Sequence, residues 1–162
     1  MGGADMQLCN KDGGFAALAM RLCILLTTLL SIFAFGYMLY TLALRSAVAV
    51  VGYLATLGIP FLLVTLIRRL LNAPRPYEAE GFVGEPPRGG KGNSFPSRHA
   101  FSAFAIGTLC CFVSPLLGVV LLALGVLMCI CRVALRIHFV RDVVAGALIG
   151  IISSVIGTLI LI

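Results

Sequence analysis

His138 and Asp142 stand four residues apart, a spacing that on a helix puts both on one side, one turn apart. A carboxylate bonded to one ring nitrogen of an imidazole fixes its tautomer and leaves the other nitrogen with a lone pair. That nitrogen can attack an electrophile, and the acid then stabilises the cationic ring. Six residues earlier stands Arg132, whose planar fork grips phosphate oxygens two at a time. The pair also has a plainer reading, as a core histidine bonded to its acid for stability. Arg136 and Arg141 lie close by, and Arg141 is expected to point away from the His138–Asp142 side.

Two other stretches carry matching chemistry. In "NSFPSRHAFS", residues 93–102, Pro96 and Ser97 read as a helix start, with proline in the first turn and serine as cap. The free amides of a helix start suit an anion. His99, in that first turn, is placed to protonate a departing oxygen. A simple cap with an interfacial histidine explains the same residues. In "RRLLNAPRP", residues 68–76, Arg68 and Arg75 flank the end of an apolar run. They serve equally as phosphate contacts or as a cationic stop after a membrane helix.

The elements that must hold these residues follow from composition. The chain has 162 residues, of which 60% are hydrophobic and 11% charged, with a mean hydropathy of +1.11. So few charges cannot cover the surface of a soluble domain. Five apolar runs approach the roughly 20 residues a spanning helix needs. They lie at about 22–44, 47–67, 99–114, 116–131 and 139–162, the third and fourth being short. The expected fold is all-α: a polytopic membrane bundle of about five transmembrane helices with the active site at one membrane face. One domain is expected over 1–162, with a loose Gly-rich lead at 1–13 and a long loop at 68–97. Residues 14–21 read as an interfacial helix or as the leading turn of the first span. Asp5, Lys11 and Asp12 argue against a signal peptide.

With the spans alternating across a membrane, every one of the 12 Lys and Arg residues except Arg45 falls on one face, with both histidines and the acids. The positive-inside rule accounts for this, and so does a site for a polyanion; the two coexist. From His138 and Asp142, the same helical step continues through Gly146, Gly150, Ser153 and Gly157. This stripe contains G-x-x-x-G, which lets membrane helices approach closely, so the His–Asp pair is expected to face other helices rather than lipid. An ionisable residue there is a functional candidate.

Other features are less informative. "PPRGGKG" fails as a phosphate loop, because Glu85 and Gly92 stand where that pattern needs Gly and Ser or Thr. The six cysteines have no zinc-site spacing and read as small apolar packing residues.

In order, the three stretches resemble the signature of the type 2 phosphatidic acid phosphatase superfamily: Lys-x6-Arg-Pro, Pro-Ser-Gly-His and Ser-Arg-x5-His-x3-Asp. Here they read Arg68-x6-Arg75-Pro76, Pro96-Ser97-Arg98-His99 and Cys131-Arg132-x5-His138-x3-Asp142, over about residues 60–160. Three positions depart from it. Arg68 replaces Lys, Arg98 replaces Gly and adds positive charge suited to a second phosphate, and Cys131 replaces Ser. Membrane members often have six spans, one more than the five expected here.

The resemblance implies a metal-independent lipid phosphate or diphosphate phosphatase. In it Arg68, Arg75, Ser97, Arg98 and Arg132 hold the phosphoryl group, His138 attacks phosphorus, Asp142 orients His138, and His99 protonates the leaving oxygen. It implies no metal and no cofactor, and the sequence has no carboxylate cluster for a divalent ion. Phosphatidic acid, phosphatidylglycerol phosphate and undecaprenyl diphosphate fit as substrates. Expected partners are that lipid and the surrounding membrane lipids, not nucleic acid. The expected location is a bacterial plasma membrane, with charge bias pointing the site inward and the resemblance pointing it outward. The alternative is a catalytically silent module that binds or transports lipid phosphates. A haloperoxidase using the same pocket is disfavoured by the lack of soluble surface.

Overall fold

The computed structural model describes residues 3–44, 46–79 and 91–161, and every regular element among them is helical. In order these are α1 (Gly3–Ala43), α2 (Ala47–Leu71), the single turn α3 (Pro76–Ala79), α4 (Arg98–Val113), α5 (Pro115–Ala134) and α6 (Val140–Leu161). Five are long, the number expected. Four of them, α1 over Leu18–Ala43 together with α2, α5 and α6, are long and apolar enough to cross a membrane. Their outer faces expose Phe33, Leu62, Leu70, Leu116 and Leu159 among many large apolar side chains, the surface of a chain solvated by lipid. With these helices, the chain is a membrane protein.

The remaining long helix, α4, has 16 residues, about 24 Å at 1.5 Å per residue and short of a hydrocarbon core of about 30 Å. It does not need to span, because it is the hub of the bundle. It packs against α6 and α5 most extensively, then α1 and α2, and Ala100, Phe101, Ala105 and Leu109 are fully buried. Ser97 caps it, the hydroxyl accepting the amide of Ala100 at 3.4 Å, and Pro96 precedes the cap rather than entering the first turn. Phe101 joins Val64 of α2 in a small core, with the Phe61 ring 6.2 Å away. A second core, of Met38, Tyr53, Leu109 and Leu121, fills the opposite end of the bundle.

Glycine sets how closely α6 approaches α4. A Cβ on Gly146 would lie 2.4 Å from the carbonyl oxygen of Ser97, and one on Gly150 would lie 2.6 Å from that of Phe101. The small-residue stripe therefore does face other helices. The next member of the α6 stripe to meet α4 is Ser154, which donates to the Ala105 carbonyl at 3.2 Å, and not Ser153, which bonds within its own helix. Steps of four from Gly146 keep to the contact, whereas 153 has rotated off it.

Other boundaries differ from expectation. α1 takes in residues 3–13 and 14–21, because nothing in that stretch, its glycines included, terminates a helix. α2 runs one turn past its apolar run and ends at Asn72, whose left-handed backbone lets its amide bond the Arg68 carbonyl. The "PPRGGKG" stretch and most of the long loop lie outside the described residues.

Candidate active site

One end of the bundle collects the C-terminal ends of α2 and α5, the N-terminal ends of α4 and α6, and the first apolar turns of α1. A cavity of about 640 Å³ opens there, lined by Arg68, Arg75, Arg98, Arg132, His99 and His138, with α1 contributing Arg21, Ile24, Leu25 and Thr28. All three stretches singled out in the sequence thus meet at one place.

His138 is not on a helix. It lies in the α5–α6 connection, two residues ahead of α6. The pairing with Asp142 arises instead from capping. Asp142, in the first turn of α6, reaches back so that its Oδ2 accepts the Phe139 amide at 3.1 Å, half of a capping box. That places Oδ2 3.6 Å from His138 Nδ1. On the other side of the ring, Arg132 Nη2 lies 3.3 Å from Nε2. The turn that brings Arg132 and His138 together is tight. Ile137 donates its amide to the Arg132 carbonyl at 3.0 Å, and Arg136 adopts a left-handed φ of 54°. For a non-glycine residue that conformation costs on the order of 1 kcal/mol.

A guanidinium only donates, so Nε2 must accept and the ring proton sits on Nδ1, toward Asp142. Ser94 completes this arrangement. Its hydroxyl, fully buried, donates to Asp142 Oδ2 and lies 3.3 Å from His138 Nδ1. Burial, and then the charges of Arg132, Arg75, Arg68 and His99, push the His138 imidazole pKa down to about 2. The ring is therefore neutral, and its Nε2 lone pair is held by the Arg132 guanidinium in the cavity wall.

The other cations are held by backbone. Arg68 Nη1 donates to the carbonyls of Pro96 at 2.8 Å and Ser94 at 3.3 Å, fixing the segment that leads into α4. Arg75 Nε donates to the Gly92 carbonyl at 3.0 Å. Glu78 clamps the same loop by accepting the amides of Arg75 and Gly92, each at 2.9 Å. Gly92, at φ +65°, holds a left-handed backbone that favours glycine, and a Cβ there would come 2.2 Å from Asn72 Oδ1. Arg68, Arg75 and Arg132 are at most 8% exposed, and no carboxylate lines the cavity among the described residues.

Two expected site residues stand behind the wall rather than in it. Asp142 is fully buried beneath His138. Ser97 is equally buried, its hydroxyl engaged by the Ala100 amide and its own amide donating to the Asp142 carbonyl at 2.9 Å. The first-turn amides at Arg98 and His99 are those a helix leaves without internal acceptors.

A family model described as the PAP2 superfamily matches residues 49–161. The chain belongs to the PAP2 superfamily. Among solved structures, LpxE of Aquifex aeolicus is similar, with a TM-score of 0.62 and 26% sequence identity over 85% of this chain and 86% of that one. Comparison with curated protein sequences gives no significant match.

Membership in this phosphatase superfamily gives the departures from the expected PAP2 signature their meaning. Arg68 keeps a cation at the cavity wall while bracing the loop. Cys131 does not line the cavity; its thiol meets Cys23 across the α1–α5 seam, so loss of the serine hydroxyl removes nothing from the wall. Arg98 lines the cavity and is exposed within it. Arg141 is exposed as expected, yet its Nε stays 3.6 Å from Asp142 Oδ1 and its guanidinium lies over the Phe139 ring.

Ser94 and Arg21 had no signal in the sequence. Ser94 sits two residues ahead of the Pro-Ser-x-His stretch, where nothing distinguishes it from a loop serine. Arg21 lies on α1, outside the PAP2 match, and reads there as a flanking charge on a membrane helix.

Proposed function

We propose that this PAP2 protein is a lipid phosphate phosphatase that works through a phosphohistidine on His138. The observation that carries this reading is the opposed surroundings of the His138 ring: Nδ1 lies 3.3 Å from the Ser94 hydroxyl and 3.6 Å from Asp142 Oδ2, and Nε2 lies 3.3 Å from Arg132 Nη2 in the cavity wall. In this reading Arg68, Arg75 and Arg132 hold the phosphoryl oxygens, aided by the free amides at the start of α4. Nε2 attacks phosphorus, and Asp142 stabilises the imidazolium that results. His99 protonates the leaving oxygen and then activates the water that releases phosphate. Ser97 acts indirectly here, by setting the start of α4 against α6. Preorganised cations in a buried site stabilise charge developing on the transferred group.

The lipid nature of the substrate is supported by a second cavity. It measures about 300 Å³, shares Thr28, Arg98 and His99 with the first, and is otherwise mostly apolar, with Ile32, Phe61, Ile106 and Met128. A phosphate-bearing head in one and a hydrocarbon chain in the other is the chemistry of an amphiphile such as phosphatidic acid or phosphatidylglycerol phosphate. The test is release of inorganic phosphate from a lipid phosphate by purified protein in detergent with EDTA present. The reading expects release that His138→Ala abolishes. No release from any lipid phosphate supports a silent binding or transport module instead.

A further inference from the structure

The cavity is larger and more positive than one phosphoryl group requires. Four oxygens around phosphorus occupy about four water volumes, roughly 120 Å³ at about 30 Å³ each. The cavity offers about 640 Å³. Five guanidinium groups line it, and no carboxylate does so among the described residues. A phosphomonoester brings at most about two negative charges.

The five arginines also form two sets. Arg68, Arg75 and Arg132 are buried at 6%, 5% and 8% exposure, around His138. Arg98 and Arg21 are exposed and lie on two other helices, α4 and α1. Arg98 lines both the polar cavity and the apolar one beside it, as do His99 and Thr28, and is the one arginine among the described residues that lines both. A lipid whose terminal phosphoryl group reaches His138 and whose tail occupies the apolar cavity must pass Arg98 between them.

We infer that Arg98, with Arg21 of the same cavity wall, forms a second anion subsite for the tail-side phosphate of a lipid diphosphate. This rests on the phosphatase reading and names its substrate class. In the step it implies, His138 Nε2 bonds to the terminal phosphorus as the bond from that phosphorus to the bridging oxygen breaks. The electron pair leaves on the lipid monophosphate, whose added negative charge Arg98 stabilises. A phosphate leaving group needs a proton from His99 less than an alkoxide does. His99→Ala therefore slows hydrolysis of a lipid monophosphate more than that of the diphosphate bearing the same tail.

The experiment has a binding arm and a turnover arm, at fixed salt and on full-length protein in detergent. Calorimetry compares inorganic pyrophosphate with inorganic phosphate. Phosphate release compares a polyprenyl diphosphate with the matching monophosphate. Wild type favours the diphosphate partner in each arm by tenfold or more. Arg98→Gly lowers that preference about tenfold and Arg21→Gln about threefold. Arg69→Gln, an exposed cation outside the cavity, controls for general electrostatics and leaves the preference within twofold. Equal proportional losses for both ligands in Arg98→Gly, or an equal effect of Arg69→Gln, overturn the subsite. A binding preference that responds to Arg98→Gly without turnover of either lipid upholds the subsite and defeats the phosphatase reading instead.

Discussion

Arg132 Nη2 lies 3.3 Å from His138 Nε2, so a cation donates to the very nitrogen that faces the cavity. This contact holds the lone pair in place before substrate arrives. In the proposed mechanism, an incoming phosphoryl oxygen takes over the guanidinium and releases Nε2 to attack, so that substrate binding and activation of the nucleophile would be one event.

Asp142 stands on the opposite side of the ring, its Oδ2 3.6 Å from Nδ1, and in the proposed mechanism its charge matters more than its shape. Asp142→Asn preserves the size of the side chain but removes the carboxylate that selects the Nδ1–H tautomer. The expected loss in kcat is about 10³-fold or more, on the scale of orienting acids in catalytic triads. Phosphate release under saturating lipid measures it; a loss within threefold contradicts the assignment.

Ser94 is expected to act through Asp142. Ser94→Ala removes the hydroxyl donated to Oδ2 and leaves a fully buried carboxylate short of one donor. A stability loss of about 1 kcal/mol follows from the missing bond. A fall of about tenfold in kcat with little change in KM should accompany it. Stability loss without any effect on kcat would make Ser94 a fold residue only.

Acid should destabilise the protein through His138. Its folded-state pKa lies near 2, below the unfolded value of about 6.5. Between those values the unfolded chain binds a proton that the folded chain does not, so stability is lost as pH falls below about 6.5. Thermal unfolding in detergent from pH 7 to pH 5 should show a steeper drop for wild type than for His138→Gln. Parallel curves would mean that the ring is already charged in the fold.

Gly146 tests whether the site depends on the α4–α6 approach. A side chain there meets the Ser97 carbonyl, the residue that caps α4 and is bonded to Asp142. Gly146→Leu should cost about 1–3 kcal/mol as overpacking and lower activity at least tenfold by shifting His99 relative to His138. Leu148→Ala, on the exposed face of α6, should do neither.

How much of this was legible in the sequence differs from residue to residue. Arg68, Arg75, His99, Arg132 and His138 each had a plainer reading alone; the spacing of the three stretches, matched to the superfamily signature, singled them out, and all five line one cavity. The glycines of α6 were equally plain, because few other residues permit such close packing. The basis of the His138–Asp142 pairing was not plain. Helical spacing gave the right partners by the wrong geometry, since a capping carboxylate reaching back from α6 makes the contact. The roles of Ser94 and Arg21 depend on which parts of the chain fold onto each other, and local sequence does not carry that. Ser97 read from the sequence as a helix cap, which it is, and only the resemblance gave it to the phosphate; its hydroxyl is buried against the Ala100 amide.

The central claim is covalent chemistry at one ring nitrogen. Wild-type protein mixed with lipid substrate carrying radiolabelled terminal phosphate, and quenched in alkali within one turnover, should retain acid-labile label. Peptide mapping should place that label on His138, and His138→Ala should carry none. Release of phosphate at the normal rate with no label trapped at any time, or label on a residue other than His138, would contradict the account.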